Sequence, residues 1–123
     1  MKIILTNPGE NYAIRSYQAG HVVINDQAYT KSLVLAPKQL MTDWPPQSAD
    51  ELTEADFEML TELQPDLVLL GTGEKQVFPP LSLYAPLLQK NIAVEVMNTG
   101  AACRTYNILA SEGRKVIAAL MMM

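Results

Sequence analysis

The sequence predicts an α/β fold organised around two neighbouring parallel strands. Asp66-Leu67-Val68-Leu69-Leu70-Gly71-Thr72-Gly73 is an apolar run that ends in a Gly-Thr-Gly turn. Ile92-Ala93-Val94-Glu95-Val96-Met97 repeats the pattern and leads into Asn98-Thr99-Gly100-Ala101-Ala102. Between the two runs, residues 82–90 read as a short helix, so the unit is strand–helix–strand with a right-handed crossover. A second helical pattern over 54–63 precedes the first strand, and this alternation points to an α/β sheet.

At 123 residues the chain is expected to form one domain spanning 1–123. Hydrophobic residues make up 49% and charged residues 18%, the composition of a globular protein. The net charge is −4. Seven of the thirteen carboxylates lie between Asp50 and Asp66, whereas the nine bases are scattered, with Arg114-Lys115 as the one adjacent pair. Nothing here can neutralise a row of phosphates, which argues against nucleic-acid binding. The acidic cluster reads as a solvated helix face, with attraction of a basic partner as the alternative.

The N-terminal apolar run, Ile3-Ile4-Leu5, is shorter than the roughly 7–15 residues of an export segment. Val116 to Met123, the longest apolar run, is too short to span a bilayer as a helix. A single cysteine excludes an intrachain disulfide. A cytoplasmic location is expected.

Taken in order, residues 12–18 open as a strand that Ala19-Gly20 ends. His21–Ile24 and Gln27–Thr30 flank Asn25-Asp26, two residues that tolerate positive φ, so a hairpin is expected. Ser32–Ala36 continues as a buried strand and stops at Pro37. Residues 37–49 read as a loop, in which Trp44 beside Pro45-Pro46 either anchors on the core or forms a recognition surface.

The helix over 54–63 carries its own start signals. Thr53 can cap it with Asp56 three positions on, and Leu52 can staple to Phe57. Leu52, Ala55, Met59, Leu60 and Leu63 form an apolar stripe, and Gln64-Pro65 ends it. The uniformly apolar strand 67–71 is expected to be covered on both faces. Residues 74–80 are loop. Helix 82–90 is expected to be capped by Ser82, to hold Pro86 in its first turn, and to stop at a left-handed Asn91.

The last helix runs from Thr99 to about Glu112, burying Ala102, Tyr106, Leu109 and Ala110, and Gly113 suits its C-terminal stop. Residues 114–121 then read as a final strand, with continuation of the helix as the alternative.

The stretch from Val94 to Leu109 (Val-Glu-Val-Met-Asn-Thr-Gly-Ala-Ala-Cys-Arg-Thr-Tyr-Asn-Ile-Leu), followed by Glu112-Gly113-Arg114-Lys115-Val116-Ile117-Ala118-Ala119-Leu120, resembles a family of small domains of unknown function, DUF498. The likeness continues upstream through Leu69-Leu70-Gly71-Thr72-Gly73 and the segment leading to Trp44-Pro45, nearly the whole chain. The family includes mitochondrial complex I assembly factor 3 and stand-alone bacterial and archaeal domains. The resemblance implies a compact three-layer α/β domain with a central mixed sheet, whose last strand runs antiparallel to its neighbours. It brings no accepted catalytic residues. By analogy it implies a protein partner and a role in assembling a larger complex.

If the parallel pair is right, Gly71, Thr72 and Gly73 lie beside Asn98, Thr99, Gly100 and Ala101 beyond the carboxyl ends of the strands. Open α/β sheets bind ligands in that crevice. The second turn offers N–H groups at a helix N-terminus, and Arg104 could add a fork for a carboxylate or phosphate. Asn107 follows near the same face. Glycine turns also arise for conformational reasons alone, and neither turn matches a dinucleotide or P-loop fingerprint.

Cys103 at a helix N-terminus beside Arg104 invites a nucleophile reading, but the one histidine, His21, lies on the distant hairpin. A small buried apolar role is the alternative. No Cys/His spacing suggests a metal, and no cofactor is expected. The Met121-Met122-Met123 tail suits a self-association or partner surface, or a frayed terminus. Two function classes emerge: a non-enzymatic interaction or assembly-accessory domain, and a small-molecule or anion binder or enzyme using Gly71, Thr72, Gly73, Thr99, Gly100, Cys103, Arg104 and Asn107.

Overall fold

The computed structural model describes residues 2–5 and 11–122, with side chains described over 11–122. Its strands before the first helix are β1 (Lys2–Leu5), β2 (Ile14–Gln18), β3 (His21–Ile24), β4 (Gln27–Tyr29), β5 (Leu33–Ala36) and β6 (Gln39–Thr42). Helix α1 (Glu54–Glu58) tightens into a 3-10 segment over Met59–Leu63. Then follow β7 (Leu67–Thr72), α2 (Leu81–Gln89), β8 (Ala93–Met97), α3 (Thr99–Ser111) and β9 (Val116–Met121).

Six strands form one mixed sheet in the order β1-β6-β5-β9-β7-β8, and β2-β3-β4 form a separate antiparallel sheet. The parallel pair predicted from the two apolar runs is present, with Leu67 opposite Ala93 and Gly71 opposite Met97. The last strand departs from the expectation. β9 lies inside the sheet, antiparallel to β5 but parallel to β7, with Leu67 opposite Val116 and Thr72 opposite Met121. Its neighbour on the β7 side is parallel because α3 carries the chain back across the sheet, as a crossover between parallel strands must.

Because successive side chains of a strand point to opposite faces, buried β7 divides the interior into two cores. Leu67 and Leu69 face α3 and the small sheet, meeting Tyr106, Ala102, Val22 and Ile24. Val68 and Leu70 face α1 and α2, meeting Phe57, Leu60 and Leu87. Three layers result: α3 with the small sheet, the mixed sheet, and α1 with α2.

Trp44 is fully buried in the α1/α2 core, so it anchors its segment. That segment is not all loop. Pro37-Lys38 makes a tight turn and β6 returns along β5, with Ala36 opposite Gln39. Proline ends a strand but also presets a turn, and here it does both. β1 pairs with β6 in turn.

The helix signals at Thr53 are realised. Thr53 N–H donates to Asp56 Oδ2 at 2.9 Å, and Asp56 N–H donates to Thr53 Oγ1 at 3.3 Å. Gln64 takes a left-handed φ of 51° before Pro65, and Asn91 does so at 62°. Helix α2 differs from its expected form. It begins at Leu81 after an N-cap Pro80 with no side-chain cap, so Ser82 lies inside the first turn. Pro80, already extended at φ −54° and ψ 136°, sets the entry that Ser82 was expected to set. Pro86 consequently falls in the second turn, where the carbonyl four residues back loses its donor.

The Met tail is also corrected. Met121 is fully buried and Met122 is 3% exposed, because β9 is an inner strand; Met123 lies outside the described residues. Among the described residues no helix is long and apolar enough to cross a membrane.

Candidate functional site

The two turns meet as the parallel pairing requires. Gly73 C=O accepts the Thr99 N–H at 2.8 Å, and Thr99 Oγ1 accepts the Gly73 N–H at 2.8 Å. The same hydroxyl donates to the Met121 carbonyl at 2.6 Å. Thr99 is therefore fully buried and fully bonded, a rivet between β7, β9 and α3. Its closeness explains Gly71: a β-carbon there would lie 2.9 Å from Thr99 Oγ1 and 3.0 Å from its Cα. Gly73 supplies a positive φ of 93°.

Thr72 also turns inward. Its hydroxyl accepts the Val77 N–H at 3.0 Å and faces the Lys75 carbonyl at 2.5 Å, folding the 73–77 segment back on the strand. At the start of α3, Asn98 Oδ1 caps the Ala101 N–H at 2.8 Å. The Tyr17 ring covers Gly100, where a β-carbon would meet it at 3.3 Å.

Cys103 and Asn107 face the α3 core. Burial pushes the Cys103 thiol up to about 12, only partly countered by the Arg104 guanidinium. A thiol held protonated in this way is a poor nucleophile. Asn107 brackets Ile14, accepting its N–H at 3.1 Å and donating to its carbonyl at 2.7 Å. It ties the small sheet to α3. His21 sits on β3 opposite Gln18, and no group of three metal-ligating side chains occurs among the described residues.

Arg104 is the exposed member of the set, with Nη1 3.5 Å from the position of a Gly100 β-carbon. The structure thus gathers Gly71, Thr72, Gly73, Thr99 and Gly100 at one pole and turns most of their polar atoms inward. A groove of about 480 Å³ lies elsewhere, lined by Pro37, Gln64, Ala110, Arg114 and Lys115 near the start of β9. None of the eight crevice residues lines it.

The same pole carries an exposed apolar segment that spans the 74–80 loop and the start of α2. Val77, Phe78 and Leu81 are 46%, 66% and 59% exposed. Three large apolar side chains within five residues, Val77 and Phe78 outside any helix or strand and Leu81 opening α2, are the signal that the sequence offers. Gln76 beside them donates Nε2 to the Val96 carbonyl of β8 at 2.9 Å, holding this segment against the sheet edge.

The comparisons agree with this architecture. A crystal structure of a protein from Bordetella parapertussis superposes with a TM-score of 0.89 at 31% identity, covering 95% of this chain and all of that one. The "13 kDa major membrane protein" of Francisella tularensis subsp. holarctica is 29% identical over 104 residues, 83% of this chain and 84% of that protein. NADH dehydrogenase (ubiquinone) 1 alpha subcomplex assembly factor 3 of Bos taurus is 34% identical over 109 residues. That match takes in 87% of this chain but 59% of the bovine protein, so the chain spans less than two thirds of that relative's length. The model of a family described as "Protein of unknown function (DUF498/DUF598)" matches residues 14–121, and the chain belongs to that family.

Proposed function

We propose that this chain is a protein-interaction domain, an accessory to the assembly of a larger complex, and that it catalyses no reaction of its own. The observation that carries this is the opposite orientation of two neighbouring groups. Thr72, Thr99 and Asn107 spend their polar atoms on internal hydrogen bonds, while Val77, Phe78 and Leu81 project apolar surface outward. Exposed apolar clusters on a folded domain mark interaction sites. The assembly-factor name of the bovine relative supports a respiratory complex as the object of assembly. A cytoplasmic location belongs to this reading, and the membrane-protein name of the Francisella relative makes the membrane face the place to look.

A second reading rests on Arg104. Its exposed guanidinium stands beside the first turn of α3, where an anion could bind between it and the turns at Gly71, Thr72, Gly73, Thr99 and Gly100.

Affinity capture of the tagged chain from its own cells, membranes included, separates the two. Stoichiometric recovery of a defined protein set by both the wild type and Arg104→Ala supports the interaction reading. Recovery of no protein, with anions raising the melting temperature of the wild type but not of Arg104→Ala, overturns it in favour of the second.

A further inference from the structure

Among the described residues no strand pairs with the outer edge of β8, which is open over a short and defined interval. In a parallel ladder the N–H and C=O of one residue point to the same side, and successive residues alternate. The Ala93 N–H donates to the Asp66 carbonyl, so Ala93, Glu95 and Met97 address β7. Ile92, Val94 and Val96 therefore address the outside. Ile92 N–H is taken by the Leu87 carbonyl at 3.0 Å, and the Val96 carbonyl is taken by Gln76. Among the described residues, what remains is the C=O of Ile92, the N–H and C=O of Val94 and the N–H of Val96, an unfilled bonding pattern for one short added strand. Isolated edges of this kind are templates for pairing with another chain.

Side chains around this gap define what fits it. Gln76 bonds to Val96, and the exposed Val77, Phe78 and Leu81 follow it directly in the chain, giving apolar cover next to the open edge. Glu95 is exposed in the middle of β8. A second copy of this chain, paired antiparallel so that Val94 and Val96 both bond, would set Glu95 directly opposite Glu95. Like charges directly opposite destabilise a strand pair.

Resting on the interaction reading above, we propose that β8 is extended by a strand from another protein. That strand alternates apolar residues with a Lys or Arg that faces Glu95, and its apolar side chains cover Phe78 and Leu81. Main-chain hydrogen bonds supply the attachment and the alternating side chains supply selectivity, the usual division in strand addition.

The test uses the full chain carrying a benzophenone side chain at Phe78, expressed in its own cells and irradiated, with the cross-linked peptide sequenced. Val94→Pro is the discriminating variant. The Val94 N–H points away from β7, so proline there breaks no ladder bond but blocks an added strand. Glu95→Lys is the second variant and leaves the backbone untouched.

The expected result is a cross-link to an extended segment containing Lys or Arg, reduced at least tenfold by each variant, with the melting temperature of each within a few degrees of the parent. An undiminished cross-link in folded Val94→Pro overturns strand addition while leaving the interaction reading standing. A cross-link to a second copy of this chain, or to a segment without a basic residue, also overturns it. No protein cross-link in the parent overturns both.

Discussion

Gly71 and Thr99 approach so closely that a β-carbon on the glycine would stand 2.9 Å from the threonine Oγ1 and 3.0 Å from its Cα. One of those obstacles is backbone and cannot rotate away. Gly71→Ala is expected to cost about 1–3 kcal/mol, the range for forcing an extra carbon into a packed core. Urea denaturation reads this directly. A loss below about 0.5 kcal/mol, the size of an ordinary surface substitution, would show that the contact is not tight.

Thr99 is the other half of that relationship. Thr99→Val keeps its shape but leaves the Gly73 N–H and the Met121 carbonyl without their hydroxyl partner. Unsatisfied buried groups of this kind cost about 1–3 kcal/mol. Thr99→Ser retains both bonds and is expected to lose less than half as much in the same experiment. Equal losses would contradict the riveting role.

Asn107 gives a local rather than global prediction. Asn107→Leu removes both hydrogen bonds to Ile14 and frees the small sheet from α3. Amide exchange at Ile14 is expected to accelerate strongly while exchange at Val68 in the central strand changes little, as for a sub-global opening. Unchanged exchange at Ile14 would show that packing alone holds the small sheet.

Burial of Cys103 and Tyr106 predicts a loss of stability at alkaline pH. Burial pushes the Cys103 thiol from an ordinary 9.0 up to about 12, so the folded state holds a proton that the unfolded state releases earlier. Its contribution is complete below pH 9.0 and is lost as pH rises toward about 12. Tyr106, pushed up from 10.0 by burial, acts in the same direction. Urea midpoints are expected to fall across this window, and Cys103→Ala to flatten the fall. The native thiol is expected to resist alkylation at about pH 8 until the chain unfolds. Rapid native labelling would contradict this account of Cys103.

Much of this architecture is readable in the chain because its signals are local. The Thr53–Asp56 box and the left-handed stops at Asn91 and Gly113 each depend on residues a few positions apart, and the parallel pair joins two apolar runs separated by a single helix. β6 carries little local signal because Gln39-Leu40-Met41-Thr42 is short and follows a proline that reads as an end. The position of β9 between β5 and β7 depends on pairings more than fifty residues apart in one direction, which no local pattern encodes.

The site shows the same division. Sequence places Thr99 at the turn, but the direction of its hydroxyl is settled by Met121, twenty-two residues away. Likewise, Asn107 resembles a polar group on an accessible helix face until Ile14, ninety-three residues back, occupies it. Val77 and Phe78 have no periodicity to absorb them and Leu81 opens α2, and that irregularity is the trace of the exposed patch.

Amide hydrogen exchange on the chain, free and in complex with the partner it captures, tests the interaction account most directly. The account predicts protection confined to residues 76–81 and to Val94 and Val96, with the start of α3 unchanged. Protection at Gly100 to Arg104 with none over 76–81 would contradict it and place the working surface at the crevice.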